Sequence, residues 1–208
     1  MAISFVAAGT VIQGANPTVP VPAGYAAGDF FLMFVTAAIV TTPTGWTSLS
    51  STTVGGPTNL FYKTASASES SVAVTSSNAA TIAGMVAYRG TSGIDVQMIS
   101  FNTSASATSL ATTSRTTTQA NDYVISYYGC SNIVDVWTAP ASTTTRVTSN
   151  STLTFRGALL VDELQASAGA TTARTATLSI ANGISAYAFA IKETAASTVN
   201  SNFFLLMQ

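Results

Sequence analysis

Histidine is missing altogether from these 208 residues, and there is one cysteine, Cys130. Without histidine no Ser-His-Asp or Cys-His nucleophile can form, and no imidazole can ligate a metal. One cysteine excludes an internal disulfide and any thiolate-rich zinc site. Charge is scarce as well. Seven Lys and Arg against eight Asp and Glu give a net charge of -1, and charged residues make up 7% of the chain where about 25% is usual. That is no electrostatic footprint for nucleic acid or for an anionic membrane surface. The expectation is a protein with no catalytic residues, no metal site and no cofactor.

Long apolar runs are lacking too. The longest, Phe30 to Val40, is interrupted by Thr36 and spans eleven residues, against the roughly 20 that a membrane-spanning helix needs. Met1-Ala-Ile-Ser-Phe5 has no basic residue and no clean apolar core, so it does not read as a secretory signal.

What is present is hydroxyl and methyl. The chain holds 34 Thr, 26 Ser and 34 Ala, nearly half its length. Apolar residues still make up 47% and include Phe30, Phe31, Phe34, Trp46, Phe61, Tyr62, Trp137, Phe155 and Phe189, enough to offset the entropy of ordering a core. Threonine favours the solvent face of a sheet. The sequence therefore reads as an all-β protein clad in Ser and Thr, and so weakly charged a surface hints at burial against neighbours.

Turn residues and alternation mark strands throughout, and no segment keeps a helical period over three turns. Gly14 to Pro17, Gly24 to Asp29, Pro43 to Gly45 and Gly55 to Pro57 read as turns between strands. The prolines of Thr18-Val-Pro-Val-Pro22 argue for an edge position. Near residue 97 the pattern starts again. Ile3-Ser-Phe5 returns as Ile99-Ser-Phe101, and Gly28-Asp29 as Asn121-Asp122. Leu60 to Ala65 returns as Leu159 to Leu164, and Ala80 to Arg89 with Tyr88 as Ile184 to Lys192 with Tyr187. The expected fold is a jelly-roll-like antiparallel β-sandwich of residues 1–193, built from a twofold internal repeat of about seven strands each, 1–97 and 98–193. Two tandem small sandwiches are the other arrangement that fits. Residues 194–208 read as a C-terminal extension or arm ending in Phe203, Phe204, Leu205, Leu206 and Met207. These five large apolar residues require burial, either on the chain's own body or on a neighbouring subunit by strand addition.

Few residues invite chemistry. Asp29 and Asp122 hold equivalent places before a strand and read as turn carboxylates accepting local amides. Asp95 and Asp135 read as strand residues facing outward. Asp162 and Glu163 are adjacent, so they point to opposite faces and cannot act as an acid/base pair. Arg89 reads as a strand-end residue paired with a carboxylate, and Cys130, with no basic neighbour, as a small packed residue. Trp46 and Trp137 are placed in the core; stacking on a sugar ring is the other use open to them.

The first half carries a series of motifs: Ala27-Gly28-Asp29 before an apolar strand, Pro43-Thr-Gly-Trp46-Thr-Ser-Leu49, Leu60-Phe-Tyr-Lys63, Glu69, Ala87-Tyr-Arg-Gly90 and Ile94-Asp-Val96. In order and spacing this series resembles a β-sandwich domain of structural proteins on the heads, tails and fibres of tailed bacteriophages. The resemblance covers residues 3 to 96, with a weaker continuation to 193, where Ala190-Ile-Lys-Glu193 stands in place of the Tyr-Arg-Gly ending. It implies a virion component, located on the capsid exterior as a decoration or cement protein. The partners implied are the major capsid protein and further copies of the chain, in a homotrimer. A receptor- or glycan-binding module on a tail or fibre is the other role the resemblance allows, with a host surface glycan as partner through Trp46 or Trp137.

Overall fold

The computed structural model describes residues 1–38, 40–77, 80–95, 100–131, 136–150 and 156–195. Among them lie sixteen strands, all paired antiparallel, and no helix. The first eight are β1 (Ser4–Ala8), β2 (Ile12–Gly14), β3 (Thr18–Val19), β4 (Phe30–Thr36), β5 (Thr47–Thr52), β6 (Thr58–Thr64), β7 (Val72–Ala73) and β8 (Thr81–Arg89). The second eight are β9 (Thr91–Ile94), β10 (Ser100–Ala111), β11 (Thr116–Thr117), β12 (Asp122–Ser131), β13 (Thr144–Asn150), β14 (Arg156–Gln165), β15 (Gly169–Ala170) and β16 (Thr175–Glu193).

Each strand of the second set repeats the pairing of the strand eight places before it. One six-stranded sheet runs β1-β8-β4-β6-β5 with β2 also on β8; the other runs β10-β16-β12-β14-β13 with β9 also on β16. The two-stranded pairs β3-β7 and β11-β15 complete the correspondence. The chain is thus an all-β antiparallel sandwich with a twofold internal repeat. Each repeat keeps one large sheet and one small one, so each half has the layers of a small sandwich, and the strands of the two repeats do not interleave.

Sheet register corrects the correspondences read from the sequence. Phe5 and Phe30 both oppose Tyr88, whereas Ile94 and Tyr123 both oppose Ile191. The counterpart of Phe5 is therefore Ile94, and that of Tyr88 is Ile191. The second repeat opens at Thr91, ahead of the break near 97. Tyr187 opposes Tyr127 as Gly84 opposes Phe34, so Tyr88 and Tyr187 are not equivalent. Leu60 pairs with Phe34 as Leu160 pairs with Tyr127, which moves the Leu60 match from Leu159 by one residue. Such a slip puts a side chain on the opposite face, and Leu160 lies in the central core while Leu159 lies in an outer one.

The central core forms where the two large sheets face each other. Phe30, Leu32 and Phe34 of β4 meet Ile125 and Tyr127 of β12, Leu160 of β14, and Tyr187, Phe189 and Ile191 of β16. The alternate residues of the same strands face outward and are also covered. Phe31, Met33 and Val35 pack with Val19 of β3, Val74 and Trp46, while Tyr128 and Cys130 pack with Leu110, Trp137 and Leu178. Covering on both faces explains why β4 is apolar at every position but its last, as central strands buried on both sides are. Short apolar length made it a buried strand, not a membrane span.

Two turns recur with matching backbone. Gly28 precedes β4 at φ 91° and Asn121 precedes β12 at φ 64°; Gly45 precedes β5 at φ 80° and Ser142 precedes β13 at φ 64°. Left-handed geometry at each site favours glycine or asparagine. Ser142 pays a small conformational cost there.

Candidate functional site

Asp29 and Arg89, more than half the first repeat apart in sequence, close on each other. Arg89 donates from Nε to Asp29 Oδ1 at 2.9 Å and from Nη2 to Oδ2 at 2.8 Å, while the Ala26 amide donates to Oδ2 at 2.7 Å. Burial of Asp29 opposes its ionisation, but the bonds from Arg89 and Ala26 and the Arg89 charge outweigh that and hold the carboxyl below its ordinary value. Arg89 is thus the strand-end partner of a carboxylate, and Asp29 is a turn carboxylate that also locks β4 to the end of β8. Lys63 donates to Glu69 at 2.6 Å, and Glu69 also accepts from the Ser66 amide at 2.6 Å. Asp29, Arg89, Lys63 and Glu69 therefore serve as bolts within the first repeat.

The second repeat departs from this scheme. Lys192 opposes Gly93 and holds the place of Arg89, while Asp122 holds the place of Asp29. Neither oxygen of the buried Asp122 has a hydrogen-bond partner. Asp95, expected to face outward, is instead fully buried. It accepts from the Thr118 amide at 2.7 Å and from the Thr118 hydroxyl. The reason is its place in the repeat: Asp95 follows Ile94 as Val6 follows Phe5, and Val6 packs into an outer core. Asp135 lies outside the described residues. Asp162 and Glu163 face apart as expected. Asp162 accepts from Tyr88 Oη and Arg146 Nε, each at 2.8 Å, and Glu163 pairs with Arg174.

Both tryptophans are buried. Trp46 is 9% exposed, stacks on Phe31 at 6.5 Å between centroids and carries Lys63 Nζ 5.6 Å from its ring centroid. Trp137 is 6% exposed and belongs to the outer core of the second repeat. The structure does not bring the two together, and they do not occupy equivalent repeat positions: the β5 turn that carries Trp46 places Thr143 at the matching point after Ser142. Cys130 is fully buried in the same outer core as Trp137.

The edge of Trp46 lies at an open pocket of about 570 Å³, walled by Thr42, Pro43, Thr44, Lys63, Glu69 and Ser70 among others. Its two charged groups neutralise each other, and hydroxyls dominate the rest of the wall. A loop-borne pocket of this kind has no sequence signature beyond Ser and Thr, which abound everywhere in the chain. Among the described residues no group of three or more Cys, Asp and Glu could hold a metal ion. No described helix is long and apolar enough to cross a membrane. The arm residues Phe203, Phe204, Leu205, Leu206 and Met207 lie outside the described residues.

The chain matches no protein-family model, no curated protein and no solved structure.

Proposed function

We propose that the chain is a structural component of a tailed-phage virion, a capsid decoration or cement protein on the outer shell that bridges neighbouring capsid subunits. The observation that carries this reading is the use made of the motif residues. Asp29 with Arg89, Lys63 with Glu69, and the buried Trp46 all stiffen the body. Motif residues committed to rigidity suit a part that bears load. A body whose two large sheets share one apolar core resists deformation. Its hydroxyl-rich, weakly charged surface would attach in a way little affected by salt, and many modest contacts would add by multivalency.

Quantifying the chain on purified particles tests the reading. Copies in the hundreds support a shell protein, whereas a handful point to the tail. Deleting residues 196–208 tests the arm. Loss of self-association or of particle binding is expected, and a truncated protein that still does both would remove the reading of the arm as a contact with a neighbouring subunit.

A second reading, a glycan-binding module of a tail or fibre, has the pocket beside Trp46 in its favour. Its volume falls within the roughly 300–1,000 Å³ of small-ligand sites. Trp46, largely covered, would offer a sugar little of its ring. Binding of host polysaccharide that is lost on Thr44→Trp, a substitution that fills the pocket, would support this reading; a flat glycan array for particle and free protein would remove it.

A further inference from the structure

We propose that Asp95 and Asp122 form a proton-sharing carboxyl pair that fastens one end of the second repeat. Two observations meet here. The first is burial: both carboxyls are fully covered, and Asp122 has no hydrogen-bond donor at either oxygen. A buried ionised carboxylate without donors is costly, whereas a protonated one can donate to an acidic neighbour. The second is the comparison between repeats. Asp29 meets a bidentate arginine at Arg89; at the equivalent point Asp122 has Lys192, and the apolar Val6 is replaced by Asp95. One repeat holds a carboxylate with a fork of donors; in the other, Asp95, whose amide donates to the Ala190 carbonyl, and Asp122, next to Tyr123 opposite Ile191, flank the same end of β16.

Among the described residues, Asp95, Lys192 and the Glu193 main chain act on Asp122. Asp95 reaches it from the segment leaving β9, with its own oxygens engaged by Thr118 just after β11. Lys192 and the Glu193 main chain come from the end of β16. The pair thus ties together β9, the β11 to β12 connection and β16. Burial is the largest influence on Asp122, followed by the neighbouring Asp95 carboxyl and its charge; Lys192 and the nearby Glu193 main chain oppose them without cancelling them, and the carboxyl is pushed up to about 7. The sign follows from linkage. A carboxyl raised in the folded state contributes stability that is complete below its unfolded value of 3.8 and is lost as pH rises through about 7.

The decisive measurement is a carbon-13 NMR titration of the intact chain. The Asp122 side-chain carboxyl should titrate near 7, not near its ordinary 3.8. Thermal unfolding supplies the second arm. Between about pH 5 and pH 7 the folded-to-unfolded ratio should fall as pH rises, by at most about tenfold per unit. Asp122→Asn should flatten that profile. Asp95→Val, which restores the first repeat's residue, should lower the Asp122 midpoint, and it keeps the test open if Asp122→Asn fails to fold. An Asp122 midpoint near 3.8, or profiles of equal slope for the wild type and a folded variant, would overturn the proposal. So would calcium or magnesium raising the melting midpoint of the wild type but not of Asp95→Val, since the pair would then hold a metal ion in place of a proton.

Discussion

Thr36 of the first repeat and Tyr127 of the second meet across the middle of the sandwich, with Oγ1 and Oη 2.5 Å apart. The Tyr127 ring packs on Phe34 beside this bond, at 5.1 Å between centroids. Both hydroxyls are buried, so each depends on the other. Tyr127→Phe should lower stability by about 1–3 kcal/mol, because Thr36 loses this partner in a dry interior. Adding Thr36→Val should recover part of the loss. Urea unfolding of the four proteins in a double-mutant cycle measures the coupling; additive losses would show that the bond contributes nothing to holding the repeats together.

Acid should weaken the first repeat through Asp29. Its carboxyl is held below the ordinary value of 3.8, so the stability it provides is present above that value and is lost as pH falls through the folded-state midpoint. Asp29→Asn should be less stable at neutral pH and lose less on going to acid. The expected result is convergence of the wild-type and variant melting midpoints under acid conditions. A constant gap between them would mean that the Arg89 bond contributes nothing specific to ionised Asp29.

The Gly55-Gly56 turn, which reads from sequence as a turn between strands, is packed against the second repeat. A Cβ at Gly56 would run into the Gly129 carbonyl, and the Gly56 carbonyl accepts from Ser185 Oγ at 2.6 Å. Gly56→Ala should destabilise by about 1–3 kcal/mol or more through overpacking against main chain. Gly24→Ala is a useful control, since nothing lies within 4 Å of its Cβ position and only the positive φ of 74° opposes it. The larger loss should fall on Gly56→Ala in chemical unfolding.

Cys130 is fully buried in an outer core, so its thiol should be inert in the folded protein. A thiol reagent such as 5,5'-dithiobis(2-nitrobenzoate) should label it at the rate of unfolding in water and at once in denaturant. Immediate labelling of the native protein would show that the sheet around Tyr128 and Trp137 opens locally.

Much of the fold is legible in the chain because strand formation is local. Turn residues at Gly28 and Gly45, the matching Asn121, and apolar runs such as Phe30 to Val35 mark where strands begin. The duplication is legible as well, since Asp29 and Asp122 keep their places before β4 and β12. What the pattern mismatched was register. Leu159 and Leu160 are both leucine, and Tyr88 and Tyr187 are both tyrosine, so identity alone chose partners that backbone pairing rejects.

The candidate sites were less legible. The inward place of Asp95 depends on β9 belonging to the second sheet, a long-range pairing with β16 that no local signal announces. The pocket beside Trp46 arises where a turn, a strand and a loop converge, and each is unremarkable by itself. By its own composition and spacing the chain determined that it would be a hydroxyl-clad, twice-repeated β structure without histidine chemistry, because turns and alternation act between near neighbours. Only the tertiary structure decided which two carboxyls share a buried site and which hydroxyls join the repeats, because those contacts depend on register and on the stacking of two sheets, across more than half the chain in the case of Ser185 and Gly56.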